Sequence, residues 1–201
     1  MPERTTDEAL LKRASKGDQA AFLELYDRHR QPIFRFAYRL LGEVDTAEDV
    51  THDCFLSLIR KPEKFNPDRA SLRTYLFAAA RNLALKYFRN SSRETGLDEL
   101  TEEPQLSPRN EPLRQLLDEE LAAEVRRAVF SLAPLQREAL ILFEYEGLSL
   151  NEIAEITGAD AGAVKGRLYR ARERLKSLLR PYVTVNRELN SGREIVTLKE
   201  A

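Results

Sequence analysis

Five apolar residues near the C-terminal end of the chain are spaced four, three, four and three positions apart. This spacing places them on one face of an α-helix, whereas a strand would need alternation. The five are Val164, Leu168, Ala171, Leu175 and Leu178. Asp160 precedes them and is a favourable helix-capping residue. The pattern therefore predicts one amphipathic helix over residues 160–182.

A shorter helix is predicted directly before this one. Ser149 and Glu152 have the spacing of a capping box, in which two side chains satisfy backbone N–H groups at a helix start. The short helix ends at Thr157, because Gly158 readily takes the left-handed conformation that terminates a helix. A short helix, a tight turn and a longer helix predict a helix-turn-helix.

The longer helix is strongly basic, with seven basic residues and one acidic residue between Lys165 and Arg180. Such a helix repels itself unless a polyanion lies against it, which favours DNA binding over the alternative of a solvated surface helix. Because base edges are read by the N-terminal part of a recognition helix, the base-reading candidates are Lys165, Gly166, Tyr169 and Arg170. The candidates for phosphate contacts are Arg167, Arg172 and Arg174.

Helical patterns extend through most of the chain. We predict an all-α fold with two small helical domains, residues 1–90 and 113–182, joined by a flexible acidic linker over 91–112. The C-terminal domain contains the helix-turn-helix, and the pattern does not assign the tail over 183–201. In the linker region, nine acidic residues and two arginines lie between Glu94 and Glu120. Further C-terminal helices are predicted over 113–132 and 134–146.

Three helices are predicted in the N-terminal domain, over 21–41, 45–60 and 71–89. Pro32 interrupts the first pattern as a candidate kink or break, and Gly42 ends it. The second helix is expected to begin at Asp45 with Glu48 as its capping-box partner, and Ser71 is expected to cap the third.

A second basic block spans residues 60–89, with eight basic residues, two acidic residues and five aromatic rings. Cations attract phosphates and aromatic rings stack on unpaired bases, so this combination is typical of single-stranded DNA binding. Helical spacing assigns Phe77 and Tyr87 to the core. The expected exposed readers are Lys64, Phe65, Asn66, Arg73, Arg81 and Asn82.

The helix predicted over 45–60 has two unlike faces. Ala47, Val50, Cys54 and Leu58 line the apolar face. The opposite face carries Glu48, Asp49, His52, Asp53 and Leu56. An outward leucine with an acidic rim is typical of a partner-binding surface. The alternative is that Leu56 packs against another helix of its own domain.

Cys54 is the only cysteine, which excludes an intramolecular disulfide and favours a reducing compartment. No apolar run approaches the roughly 18–20 residues that span a bilayer, and residues 1–12 lack the apolar core of a secretory signal. No Gly-rich phosphate loop or nucleophile pattern indicates an enzyme or a cofactor. We therefore expect a cytoplasmic protein without direct membrane insertion.

Several strings resemble the sigma-70 family of RNA polymerase sigma factors, and most of all its extracytoplasmic-function (ECF) group. LQREAL from Leu135, LSLNEIAE from Leu148 and GAVKGRLYRAR from Gly162 resemble region 4. AFLELY from Ala21, AEDVTHDCF from Ala47 and TYLFAAARNLA from Thr74 resemble region 2. The resemblance covers about residues 10–179, with both regions in the family's order.

This resemblance implies a factor that lends promoter recognition to RNA polymerase core. The helix-turn-helix would read the −35 element, and the loop over 61–72 with the following helix would capture unstacked −10 bases. The acidic face with Leu56 would bind the β′ clamp helices, and the β flap would be a second polymerase contact. An anti-sigma factor is a further partner that the resemblance allows.

The chain departs from the family pattern at four positions. His52 stands where the family usually has Gln, Tyr75 replaces Trp, and Ala163 and Gly166 replace Thr and Ser. Gly166 lacks a side chain at a base-reading position, which leaves the identity of the −35 sequence open while preserving the mode of binding.

Two other hypotheses compete with the leading one. The first is a stand-alone helix-turn-helix regulator of duplex DNA, which would need neither the basic aromatic block nor the acidic face. The second is a small helical metalloenzyme or adaptor that uses Asp49, His52 and Asp53.

Overall fold

The computed structural model describes residues 5–91 and 112–197, with side chains described for 5–88 and 120–182. Within these ranges all regular structure is helical, which confirms the predicted all-α fold. The predicted linker lies outside the described residues except at its two ends. The α-helices are α1 Asp7–Ala14, α2 Gln19–Leu41, α3 Val44–Arg60, α4 Leu72–Ser91, α5 Pro112–Phe130, α6 Pro134–Leu140, α7 Leu150–Thr157 and α8 Ala161–Thr197. A 3-10 helix spans Pro62–Lys64, and a π-helix, Ile141–Tyr145, follows α6 directly.

Helix α2 begins and ends through local interactions. The side chain of Asp18 accepts a hydrogen bond from the backbone N–H of Ala21 at 3.0 Å, and Gly42 closes the helix with φ of 84°. The helix continues through Pro32. Buried Ile33 and Phe36 follow this proline, and their packing offsets its missing backbone hydrogen bond.

The start of α3 corrects one prediction. Glu43, not Asp45, is the N-cap residue, and no side chain caps the backbone there. Asp45 lies within the first turn, where its negative charge interacts favourably with the positive end of the helix dipole. The Glu43 side chain is instead hydrogen-bonded to the hydroxyl of Thr46. The predicted capping box with Glu48 is therefore wrong.

The predicted starts of α4, α7 and α8 are confirmed. Ser71 Oγ accepts the backbone N–H of Thr74 at 3.1 Å. Ser149 and Glu152 form the complete capping box, and Gly158 ends α7 with φ of 69°. Asp160 caps α8 by accepting the backbone N–H of Ala163 at 2.8 Å. Helix α8 continues into the unassigned tail as far as Thr197.

The packing divides the described chain into two compact units, residues 5–91 with 141–165, and residues 112–140 with 166–197. In the first unit α2, α3 and α4 pack around fully buried aromatic rings. The rings of Phe36 and Phe77 meet edge to face with centroids 5.4 Å apart. The domain boundaries drawn from the sequence remain a prediction.

Helix α1 packs against α2 with Leu10, Leu11 and Ala14 buried, and one carboxylate adds polar contacts between the two helices. Asp7 Oδ1 lies 2.9 Å from Arg28 Nη1, and its Oδ2 lies 2.7 Å from His29 Nε2. Arg28 also donates to the carbonyl oxygen of Thr5 at 2.8 Å. These partly buried contacts fix the N-terminal helix against the core.

Candidate nucleic-acid interface

Helix α8 presents its charges to solvent while its apolar stripe is covered. Val164, Leu168 and Ala171 are buried, and Leu175 and Leu178 are half-buried. Tyr169 has 67% of its surface exposed. Lys165, Arg170, Arg172 and Arg174 are exposed, and Gly166 and Arg167 are half-buried. The predicted reading residues are therefore accessible to a duplex along this face.

Gly166 and Arg170 are neighbours on the surface of α8. They are one helical turn apart, and a Cβ atom placed on Gly166 would lie 3.5 Å from Nη1 of Arg170. The Arg170 guanidinium thus lies beside the bare backbone of Gly166. A methyl group at residue 166 would be in ordinary van der Waals contact with that guanidinium.

The basic block over 60–89 is only partly as predicted. Lys64, Asn66 and Asn82 are exposed, and Arg81 is half-buried. Phe65 was expected to be an exposed reader, but it is only 9% exposed and packs edge to face on Tyr75 at 5.6 Å between ring centroids. That expectation is wrong, because Tyr75, ten positions later in sequence, covers the ring.

Arg73 is half-buried and already engaged. It donates a hydrogen bond to the backbone carbonyl oxygen of Glu146, and its guanidinium carbon lies 5.4 Å from the centroid of the Phe77 ring. Phe77 is fully buried, as predicted, whereas Tyr87 is half-buried. Burial raises the pKa of the Tyr87 phenol, and the carboxylates of Asp49 and Asp53 raise it further.

The predicted burial of one face of α3 and exposure of the opposite face are confirmed except at Leu56. Ala47, Val50, Cys54 and Leu58 are buried. Glu48, Asp49, His52 and Asp53 are exposed, whereas Leu56 is half-buried. Leu56 is thus neither fully outward nor buried in the core, and its role in partner binding stays a prediction.

Helix α2 adds residues to this acidic face that the sequence did not single out. A shallow cavity is lined by Glu48, Asp49 and His52 of α3 together with Tyr26, Arg30 and Phe34 of α2. The guanidinium carbon of Arg30 lies 5.6 Å from the centroid of the Tyr26 ring. The α2 contribution could be recognised only once the two helices were paired, because their residues are distant in sequence.

Metal binding by the acidic face has no structural support. Among the residues whose positions are described, no group of three His, Cys, Asp or Glu side chains could hold a metal ion. Asp49, His52 and Asp53, which are among these described residues, do not form such a group.

Cys54 is a core residue. Its thiol lies 3.4 Å from the carbonyl oxygen of Leu76, and its residue surface is fully covered. Burial raises the pKa of the thiol to about 12. The reactive thiolate is correspondingly scarce at neutral pH.

We expect Cys54 to resist alkylation in the folded protein. At pH 8 a pKa of about 12 lowers the thiolate fraction on the order of a thousand-fold below that of an ordinary cysteine. Iodoacetamide labelling followed by mass spectrometry, with and without guanidinium chloride, measures this ratio. Equal rates in the two conditions would show that the thiol is accessible and would contradict its assignment to the core.

The fold and these surfaces define a class of all-helical protein with a basic helix-turn-helix and a separate acidic face on α3. Residues 25–94 match the Sigma-70 region 2 family, and residues 122–175 match the Sigma-70 region 4 family. The chain is 32% identical over 191 residues to the ECF RNA polymerase sigma-E factor of Escherichia coli K12, covering 91% of this chain and 99% of that protein.

Two further relatives agree with this assignment. The ECF sigma factor SigW of Bacillus subtilis is 30% identical over 178 residues, which cover 85% of this chain and 95% of SigW. The ECF sigma factor BldN of Streptomyces coelicolor is 34% identical over 174 residues, and the match spans only 64% of BldN. The chain therefore belongs to the ECF group of sigma-70 family RNA polymerase sigma factors, a family of non-enzymatic proteins that direct RNA polymerase to promoters.

Solved structures show the same fold. The sigma factor RpoE of Bartonella quintana, crystallised with the anti-sigma factor NepR, has a TM-score of 0.67 and 26% identity over 79% of this chain and 96% of RpoE. CnrH, solved with the cytosolic domain of CnrY, has a TM-score of 0.64 and 26% identity over 87% of this chain and 97% of CnrH. In the described part of the chain, no helix has the length and apolar character to cross a membrane.

Proposed function

We propose that this chain binds RNA polymerase core and directs initiation by reading a −35 element with α8 and capturing −10 bases with the loop before α4. The observation that carries the proposal is the exposure, in one chain, of both the basic face of α8 and the acidic face of α3. A duplex-binding regulator needs the first face only. A promoter-specificity subunit needs both.

For the −35 element, the proposal divides the residues of α8 by position. Lys165, Tyr169 and Arg170 lie at its N-terminal end, where side chains of a recognition helix meet base edges in the major groove. Arg167, Arg172 and Arg174 supply phosphate contacts, which position the protein without reading sequence. Gly166 offers only backbone at its position, next to the Arg170 guanidinium.

For the −10 element, the exposed donors Lys64, Asn66 and Asn82 are proposed to meet the displaced strand, with Arg73 and Arg81 at the edge of that surface. Captured bases need hydrogen-bonding groups to compensate for lost stacking, which costs a few kcal/mol per base. Phe65 is assigned a supporting role, because its ring packs on Tyr75 and holds the loop against α4.

For polymerase, the proposed contact is the α3 face of Glu48, Asp49, His52, Asp53 and Leu56 against the β′ clamp helices. Exposed carboxylates around a half-buried leucine provide a charged rim and an apolar centre. The β flap is the second proposed polymerase contact. The site of action is then the cytoplasm, where polymerase and promoter DNA are found.

An anti-sigma factor is a further proposed partner. The similar structures of RpoE and CnrH were solved with NepR and with the cytosolic domain of CnrY, respectively. A protein inhibitor that covered the α3 face would block the proposed polymerase contact directly.

The test against the stand-alone regulator is assembly with core polymerase. On gel filtration at physiological salt, the chain should co-elute with purified core in a 1:1 complex. Elution apart from core, together with retained binding to duplex DNA, would favour the stand-alone regulator instead.

A further inference from the structure

Helix α1 lies beside the loop that is proposed to capture −10 bases, within the same compact unit, and the two border a cavity of about 210 Å³. Leu11 of α1 and Phe65 of the loop line this cavity and are buried. The other lining side chains are Glu8, Lys12 and Ser15 of α1, all exposed, with Pro62 and Pro67 of the loop. Polar groups of α1 therefore reach the edge of the proposed −10 surface.

The C-terminal end of α1 is cationic. Lys12 and Arg13 lie in its last turn, and Lys16 follows one position after the C-cap residue. Arg13 is engaged, since its Nη2 lies 2.8 Å from Oδ2 of Asp18. Lys12 and Lys16 are exposed, and neither has an ion pair among residues 5–88 and 120–182. Two ammonium groups at this end of α1 are thus open to an external anion.

Contacts at both ends hold α1 in place. Near its start, the carboxylate of Asp7 binds side chains of α2 at 2.7 and 2.9 Å. Past its end, Asp18 binds Arg13 and also caps α2 through the backbone N–H of Ala21. The two lysines are therefore carried by a fixed helix, so binding a ligand there orders little of the backbone.

A single strand that places unpaired bases at the loop also carries a phosphate at every nucleotide. Proteins that bind single strands line the path of the backbone with cations. Lys64 is exposed on the loop itself, and Lys12 stands at the cavity that separates the loop from α1. The match to Sigma-70 region 2 begins at residue 25, so α1 lies before the matched segment.

We propose that Lys12 and Lys16 bind phosphates of the displaced promoter strand beside the captured −10 bases, so that α1 forms one side of the path of that strand. The inference rests on the proposed function of the loop. The ligand is the sugar-phosphate backbone of single-stranded DNA, and the contact positions the strand without reading its sequence. Glu8, one helical turn before Lys12, lowers the positive charge of this surface.

The contact is tested with the chain bound to core polymerase and a short single-stranded oligonucleotide. The oligonucleotide carries the non-template −10 region of a promoter found by run-off transcription. Lys12→Gln combined with Lys16→Gln should raise its Kd about tenfold near physiological salt and reduce the slope of log K against log salt by about 1.4, or about 0.7 per phosphate. Glu8→Gln should change affinity in the opposite direction and lower the Kd.

Arg126→Gln is the matched control, because it removes one exposed cation from α5. The oligonucleotide has no −35 duplex, so this variant should bind as the wild type does. Wild-type affinity and slope in the double lysine variant, or weaker binding with an unchanged slope, would overturn the α1 contact and leave the −10 proposal standing. Failure of the wild-type complex to bind the oligonucleotide would overturn the −10 proposal itself, and the α1 contact with it.

The position of α1 on DNA is tested by an iron–EDTA group attached to Ser15→Cys. Wild-type chain treated with the same reagent is the control for labelling of buried Cys54. In the complex with core and promoter, hydroxyl radicals should cut the non-template strand within a few nucleotides of the −10 element. A labelled complex that starts transcripts but shows no cuts there would overturn the proposal.

Discussion

Replacing Leu56 with arginine should raise the Kd for RNA polymerase core by at least about 30-fold, which corresponds to about 2 kcal/mol for loss of an interface hot spot. Leu56 is the apolar residue of the proposed α3 partner face and is half-buried, while Glu48, Asp49, His52 and Asp53 of that face are exposed. A guanidinium at residue 56 removes the proposed apolar contact with polymerase and places a positive charge among the carboxylates of the rim. Fluorescence anisotropy of labelled chain titrated with core measures the change.

Ser57→Arg is the matched control, because Ser57 is exposed on the same helix and outside the proposed face. It adds the same charge and should leave core affinity within a few-fold of the wild type. Circular dichroism melting should show that both variants fold. If core binding survives Leu56→Arg in a folded protein, the partner face is misplaced.

Arg170→Ala should weaken binding to the preferred −35 duplex by about 1–3 kcal/mol and relax selectivity at one base pair. Its guanidinium is exposed on α8 and lies next to the bare backbone of Gly166. The preferred duplex is first selected from a randomised library with the wild-type chain. Affinities of wild type and variant are then compared on that duplex and its single-base variants.

Arg174→Ala provides the contrast, since it removes one cation from the same helix at a proposed phosphate contact. It should lower affinity similarly on all duplexes and reduce the slope of log K against log salt by about one. If instead Arg170→Ala acts uniformly and Arg174→Ala alters base preference, the division of α8 into readers and phosphate contacts is reversed.

Features decided by neighbours in sequence could be predicted. The capping box of Ser149 with Glu152, the left-handed turn at Gly158 and the cap at Asp160 involve partners no more than three positions away. The apolar stripe of α8 follows from helical geometry alone. The predicted start of α3 is wrong, because Glu43 and Asp45 are both acceptable near a helix start and the sequence does not decide between them.

Features decided by packing could not be predicted. Phe65 has an aromatic ring of the kind that stacks on bases, and only its contact with Tyr75 shows that the ring is covered. The partners Arg39 and Glu146 are 107 positions apart, so no local pattern connects them. The same holds for Tyr26 and Arg30 of α2, which join the acidic face of α3 only through the pairing of the two helices.

The measurement that tests the central claim most directly is run-off transcription with purified core polymerase and a library of genomic fragments. Sequenced transcripts should begin at a small set of sites that share spaced −35 and −10 elements. Leu56→Arg should abolish all of them, and Arg170→Ala should reduce them in proportion to their −35 match. A chain that neither joins core nor starts transcripts above the level of core alone would contradict the account.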